Sequence, residues 1–327
     1  MKAVVFSRYG GPDDLEVRDV GTPAPGAGEV LIEVHAASVN DWDLGLLRGS
    51  PPVNRVQFGP SGLFRPGRRI LGSDVAGRVE AVGRDVTAFR PGDPVYGDLS
   101  GRWGGFAEYV RAPVAALTRK PDAMTFEQAA ALPQAVALAS QGLFDVGRLR
   151  RGERVLINGA GGGVGTLGAQ LARRYGVELT GVDRGSKLDR LRALGFDHVI
   201  DHQQEDFTRG GRTYDLILDV RTSRPPRAHL RALNPGGRYV TVGGALPRLA
   251  QVLVLGPIIT RRTGKGVRLV MLEANKDTAR VNELFESGSL TPVIDSRFPL
   301  GRAAEAMRHY AGGDFVGKIV ITVPVTG

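Results

Sequence analysis

The chain has 327 residues, 42% of them hydrophobic, which suits a globular protein of about two domains. It contains no cysteine, which excludes disulfides, thiolate-bound zinc and a thiol nucleophile. A formal charge of +9, from 43 basic and 34 acidic side chains, would suit a polyanion, but the pairs Arg68–Arg69, Arg150–Arg151, Arg173–Arg174 and Arg261–Arg262 are dispersed and not interleaved with aromatics. They read as solvated surface, and nucleic acid is not the expected partner.

In chain order, the first part reads as short strands separated by glycine and proline clusters: KAVVF from Lys2, Leu15–Val20, EVLIEVHA from Glu29, DVAGRVEAV from Asp74 and FAEYV from Phe106. Met1 leads almost directly into the first strand with no secretory leader pattern, so a cytoplasmic location is expected. Near Pro121 the texture changes to an alanine- and leucine-rich helical stretch, Thr125–Leu149, and then strand alternates with helix. Val155–Ile157 is an apolar strand, ELTGV from Glu178 a second, HVID from His198 a third, DLILDV from Asp215 a fourth and RYVTV from Arg238 a fifth. The run Val252–Ile259 is too short to span a bilayer and carries Gly256 and Pro257, so no membrane segment is expected. The last part returns to helix over Lys276–Ser287, strand in TPVID from Thr291, helix over Arg302–Tyr310 and a final strand, KIVITV, from Lys318. The βα alternation implies an α/β fold with a doubly wound parallel sheet, joined to a β-rich domain, with ligands at the carboxyl ends of the sheet strands.

The segment LINGAGGGVG, Leu156–Gly165, gives that sheet a ligand. Ala160, Gly162 and Gly165 occupy the three small-residue positions of a dinucleotide turn, with Gly161, Gly163 and Val164 between them. Three adjacent glycines alone would equally make a flexible loop. Here an apolar strand precedes them, and Val164, Leu167, Gly168, Leu171, Ala172 and Tyr175 repeat at helical spacing after them, so a helix N-terminus faces the phosphates. Asp183 ends the second strand, where an acid accepts from the adenosine ribose.

Several motifs in order extend this pattern: SVNDWD (Ser38–Asp43), ILGSDVAGRVEAVG (Ile70–Gly83), GGFAEYV (Gly104–Val110), DHVIDH (Asp197–His202), NPGGRYVTVGG (Asn234–Gly244), TPVID (Thr291–Asp295) and GKIVI (Gly317–Ile321). Together they resemble the zinc-independent quinone oxidoreductase branch of the medium-chain dehydrogenase/reductase superfamily over essentially the whole chain. The resemblance implies a GroES-like catalytic domain, residues 1–124 and 266–327, around a Rossmann domain, residues 125–265. It implies NADPH-dependent reduction of quinones or α,β-unsaturated carbonyl compounds, and a homodimer, since dimers are common in the branch. Where zinc-dependent relatives carry a ligand histidine and a glutamate, this chain has Ser73 and Asp74, and its histidines at 35, 198, 202, 229 and 309 have no short ligand spacing. No zinc is expected.

By resemblance, Asn40 is the polar residue at the reacting end, able to donate to a carbonyl or enolate oxygen, and Asp43 orients it; both residue types also favour helix caps and turns. Ser73 is a further candidate. The tyrosine or threonine often found after the Asn-x-x-Asp pattern is replaced by Leu44, Gly45, Leu46 and Leu47, and the usual threonine before the glycine turn by Leu138. No evident proton donor remains besides solvent, Ser73 or Ser140. Arg184, Ser186 and Lys187 could hold the extra phosphate of NADPH or be solvated charges, whereas Asp183 suits the free hydroxyl of NADH. The resemblance favours NADPH. It places His202 at the adenine end, unless that histidine is structural, with Val242 and Gly243 after the fifth strand and Lys318 at the cofactor's polar parts. A biosynthetic enoyl reductase or reductive cyclase of the same fold is the near alternative; a crystallin-like or RNA-binding protein with little turnover is the distant one.

Overall fold

The computed structural model describes residues 1–56, 60–66 and 69–324; Arg68 of the first arginine pair lies outside them. The chain divides into two compact units. One comprises Met1–Gln134, Ala274–Gly288 and Ile294–Gly327, the other Ala135–Glu273 and Ser289–Val293. The divisions fall later than the bounds that the resemblance implies, 124/125 and 265/266. At the first of them the reason is packing: the short helix Phe126–Ala130, though alanine-rich, packs on the strands Glu29–Ser38 and Asp74–Val82 of the first unit.

The first unit is built on a largely antiparallel sheet in the order Ile294–Pro299, Lys318–Thr322, Glu29–Ser38, Asp74–Val82, Pro94–Asp98 and Thr118–Arg119, with Tyr109–Pro113 also paired to Glu29–Ser38. A smaller sheet pairs Lys2–Phe6 with Glu16–Asp19 and Arg69–Ile70. Alternation of apolar residues along these strands feeds one core that includes Phe6, Ile32, Leu46, Leu71, Phe106 and Met307. The final strand pairs in register with Glu29–Ser38, Val320 opposite Ser38, so the end of the chain is a structural part of this unit.

In the second unit six parallel strands lie in the order His198–Asp201, Glu178–Asp183, Arg154–Asn158, Tyr214–Asp219, Leu233–Thr241 and Gly266–Leu269. Numbered along the chain this is 3-2-1-4-5-6, the doubly wound arrangement, with the order reversing between the first and fourth strands. Val155, Leu156 and Ile157 are fully buried, as expected for a central strand covered on both faces. The helix Gly163–Arg173 lays Leu167, Ala169, Leu171 and Ala172 on the sheet.

Three elements differ from the sequence expectation. The stretch Thr125–Leu149 is broken into helices Phe126–Ala130 and Pro133–Ser140 and a π turn, Gln141–Val146, because Pro133 has no N–H to continue the first helix. The strand expected at Phe106 starts at Tyr109, since Phe106 and Ala107 pair with the first strand of the smaller sheet instead. The strand expected at Thr291 starts at Ile294: Thr291 is held in the second unit by Gln170, whose side chain bonds both its N–H and its carbonyl, at 2.8 and 2.9 Å. Gly256 and Pro257 lie inside an 18-residue helix, Leu246–Thr263. Proline removes one helical bond there, while Gly256 lets the helix approach the edge strand so closely that a Cβ would lie 2.6 Å from the Val267 carbonyl oxygen. Among the described residues no helix is long and apolar enough to cross a membrane.

The central strand makes a test of the second unit. Leu156→Ala should destabilise the protein by about 2–5 kcal/mol, measured by urea unfolding, because its neighbours cannot collapse into the space.

Candidate functional site

The dinucleotide turn is shaped by close approach. Gly165 follows the turn so tightly that a Cβ would lie 2.5 Å from the carbonyl oxygens of Gly159 and Ala160. At Gly161 a Cβ would meet Asp183 Oδ2 at 2.9 Å. The helix begins at Gly163 with Gly162 as its cap, so no side chain covers its first N–H groups, and Val164 and Gly165 follow within its first turn. Backbone groups and dipole together form a cradle for a pyrophosphate. The residues present therefore fit a dinucleotide.

Asp183 is nearly buried at the end of its strand, and its carboxylate accepts the Gly161 N–H at 2.7 Å. Lys187, also buried, places Nζ 3.2 Å from the other carboxylate oxygen. Arg184 is half-buried and Ser186 exposed beside them. His202 is exposed and is held next to the acid by its N–H bond to the Asp183 carbonyl. Val242 and Gly243 leave the fifth strand, where Val242 N–H bonds the Asp219 carbonyl and the Gly243 carbonyl accepts from Thr222 N–H. All the cofactor candidates except Lys318 thus gather at the carboxyl ends of one sheet.

Sequence reasoning missed the polar pair at the point where the strand order reverses. Asn158 Nδ2 donates to Asp219 Oδ1 at 2.7 Å, joining the ends of the first and fourth strands. The Tyr239 hydroxyl lies 2.8 Å from Asp219 Oδ2, and His229 sits 3.5 Å from the same oxygen. Burial holds His229 below its ordinary value, against the pull of Asp219. The available signal was a polar residue closing each of two otherwise apolar strands.

Lys318 lies in the first unit instead. Its ammonium is 5% exposed and donates to the carbonyl of Val39 at 3.2 Å and to Asn40 Oδ1, with Asp74 Oδ2 at 3.4 Å. Asn40 Nδ2 donates in turn to Asp74 Oδ2 at 3.0 Å and Ser73 Oγ at 3.2 Å. Asp74 also accepts from the Ser38 hydroxyl and the Gln134 N–H. The structure thus brings Asn40, Ser73 and Lys318 together around Asp74, which the sequence had marked only as a replacement for glutamate. This donor set does not fit zinc: an ammonium already occupies the carboxylate, and among the described residues no group of three or more His, Cys, Asp or Glu could hold a metal ion.

Asp43 stands beside this cluster in a different role. It is fully buried, and its two oxygens accept the N–H groups of Asn40, at 2.9 Å, and Gly72, at 2.8 Å. It therefore caps the helix Asp41–Arg48 and fixes the backbone on which Asn40 is carried. Burial pushes its carboxyl up to about 7, against the pull of those two amides and with a further push from Asp74.

Comparison with known proteins places this architecture. Residues 26–122 match the alcohol dehydrogenase GroES-like domain, and residues 194–321 match the zinc-binding dehydrogenase domain. The human quinone oxidoreductase is 31% identical over 98% of this chain and 97% of its own. The pikromycin polyketide synthase component PikAII of Streptomyces venezuelae is 34% identical over 94% of this chain, which spans only 8% of that relative's length. Among solved structures, the quinone oxidoreductase from Coxiella burnetii has a TM-score of 0.88 at 27% identity, covering 99% of both chains. The CurF ER cyclopropanase from the curacin A biosynthetic pathway has a TM-score of 0.86 at 26% identity, again covering 99% of both. Fold and site thus define an oxidoreductase with a GroES-like unit and a Rossmann unit. The chain belongs to the quinone oxidoreductase-like branch of the medium-chain dehydrogenase/reductase superfamily, a family that uses NAD(P)H.

Two measurements follow from the buried charges. Lys318→Met leaves Asp74 without its counter-charge and should cost about 3–5 kcal/mol in urea unfolding. Below the ordinary carboxyl value of 3.8 both folded and unfolded chains hold the Asp43 proton, whereas from there to about 7 only the folded chain does. The contribution of Asp43 is therefore full in acid and lost as pH rises through about 7. The stability of the protein relative to Asp43→Asn should fall between pH 4 and pH 8, and a difference that rises with pH would contradict the assignment.

Proposed function

We propose that the protein is an NAD(P)H-dependent reductase that adds hydride to a quinone or to the β-carbon of an α,β-unsaturated carbonyl compound, without zinc. The observation that carries this reading is the Asn40–Asp74–Lys318 cluster, an amide and an ammonium held on the carboxylate of Asp74, next to Ser73, which by resemblance stands where zinc-dependent relatives carry a ligand histidine. Without a metal, alkoxide formation is poorly stabilised. Hydride addition to an enone leaves an enolate, whose delocalised charge asks less of its surroundings.

The reduced dinucleotide supplies the hydride when bound. The N–H groups of the helix's first turn, Gly163–Gly165, would receive its pyrophosphate, with Ala160, Gly161 and Gly162 shaping the approach, and the residues around Asp183 would meet the adenosine ribose. Lys187 neutralises Asp183 and, with Arg184 and Ser186, favours the phosphate of NADPH over the bare hydroxyl of NADH. His202, Val242 and Gly243 border the same strand ends. In the first unit Asn40 donates to the substrate oxygen through the Nδ2 hydrogen now directed at Ser73, while Lys318 holds its Oδ1 and thereby fixes which end of the amide points outward.

A second reading, a biosynthetic enoyl reductase or reductive cyclase, is favoured by the similarity to the polyketide synthase component and to the cyclopropanase. The substrate distinguishes the two.

Calorimetric titration should show NADPH binding more tightly than NADH, and Lys187→Ala should weaken NADPH by about tenfold, or 1.4 kcal/mol. Turnover with a panel of small quinones and enones should survive dialysis against a metal chelator. Failure to bind either dinucleotide would overturn the reading, and loss of turnover on chelation would overturn its metal-free chemistry.

A further inference from the structure

The sequence has no evident proton donor, yet reduction of an enone or a quinone needs a proton as well as a hydride. The first unit contains a third buried carboxylate near Asn40 that none of the motifs includes. Asp98 ends the strand Pro94–Asp98, is 2% exposed, and lies directly across the ladder from Asp74. Its backbone is clamped by Asn275, which accepts the Asp98 N–H at 2.7 Å and donates to its carbonyl at 2.9 Å.

The oxygens of the three carboxylates are used differently. Both oxygens of Asp43 accept backbone N–H groups, and both of Asp74 are occupied, by Gln134 on one side and by Ser38, Asn40 and Lys318 on the other. Asp98 Oδ1 accepts twice from Ser100, from its N–H at 2.8 Å and its hydroxyl at 2.6 Å. Asp98 Oδ2 is buried with no hydrogen-bond partner. A bare carboxylate oxygen in that position would be costly, whereas a carboxylic acid with its hydrogen on Oδ2 has a donor ready for an incoming acceptor.

We propose that Asp98 is the proton donor of the reduction, its Oδ2–H delivering a proton to the enolate or hydroquinone anion left by hydride addition. The proposal rests on the reductase reading. Hydride from the reduced nicotinamide forms the new bond at the acceptor; the Oδ2–H bond then breaks, a C–H or O–H bond forms on the product, and Asp98 is left as a carboxylate. Ser100, exposed to solvent and bonded to Oδ1, passes a proton from water to that oxygen, and a half-turn of the carboxyl about χ2 brings the O–H back to the Oδ2 position. The groups facing Asp98 are consistent with a retained proton. Burial and the charge of Asp74 push it up to about 6, against the hydrogen bonds of Ser100 and the Gln134 side chain, while Lys318 stands on Asp74 itself.

The test uses the full chain with NADPH and two probes, a cyclic enone and a small quinone. Asp98→Asn keeps the shape and should lower kcat about a hundredfold with an unchanged calorimetric Kd for NADPH, and should abolish the fall of kcat as pH rises above about 6. Ser100→Ala removes a bond that stabilises the carboxylate, so it should move that fall to higher pH. Independently of turnover, the infrared difference spectrum between the wild type and Asp98→Asn at pH 5 should show a protonated carboxyl band beyond the one that Asp43 contributes to both. A variant with wild-type kcat and pH profile, or the absence of that band, overturns the donor role alone. A wild type that binds NADPH but reduces neither probe overturns the reductase reading and the donor role with it.

Discussion

A buried ammonium is costly unless a carboxylate and further acceptors meet it, and Lys318 sets that condition for the first unit. The cluster joins three distant parts of the chain: Val39 and Asn40 beside the first core strand, Asp74 on the next, and the lysine itself at the start of the last. Joining them requires the final strand to pair with Glu29–Ser38, and that register carries the rest of the sheet. The charge pair is thus a constraint on topology as much as a piece of chemistry. Hydrophobic burial supplies most of the driving force through residues such as Ile32, Phe106 and Ile321, but it would tolerate other arrangements; the lysine fixes one.

The second unit solves a different problem, the exposure of backbone N–H groups to an anion without loss of the fold. Fully apolar strands such as Val155–Ile157 hold the sheet, and the polar residues are kept to the strand ends. There Asn158 and Asp219 join the two strands between which the order reverses, while glycine lets the turn and helix come close. Asp183 and Lys187 show how local electrostatics bear on cofactor choice. An acid alone disfavours a phosphate, but the same acid with a lysine at 3.2 Å presents little net charge.

Much of this organisation was legible in the sequence because it is written in local patterns. Apolar runs marked the parallel strands, small residues at fixed spacing marked the dinucleotide turn, and a chain of motifs marked the family. Boundaries were less legible where a distant residue decided them. Gln170 holds Thr291 away from the final sheet, and Pro133 splits a stretch whose alanine and leucine content reads as one helix.

The sequence by itself determined the classes of the two units and the glycine turn between strand and helix, because periodicity and glycine spacing act over a few neighbouring positions. Only the tertiary structure decided what the polar residues do. Asn40 and Asp43 lie three positions apart and read as one motif, yet one side chain enters the charged cluster and the other caps the helix. Lys318 lies 244 positions from the carboxylate it neutralises, and Asp98 is a buried acid only because Asp74 and Asn275 are brought beside it. Hydrogen bonds and charges act through space, and the neighbours that fix a proton or an amide orientation exist only once the strands have paired.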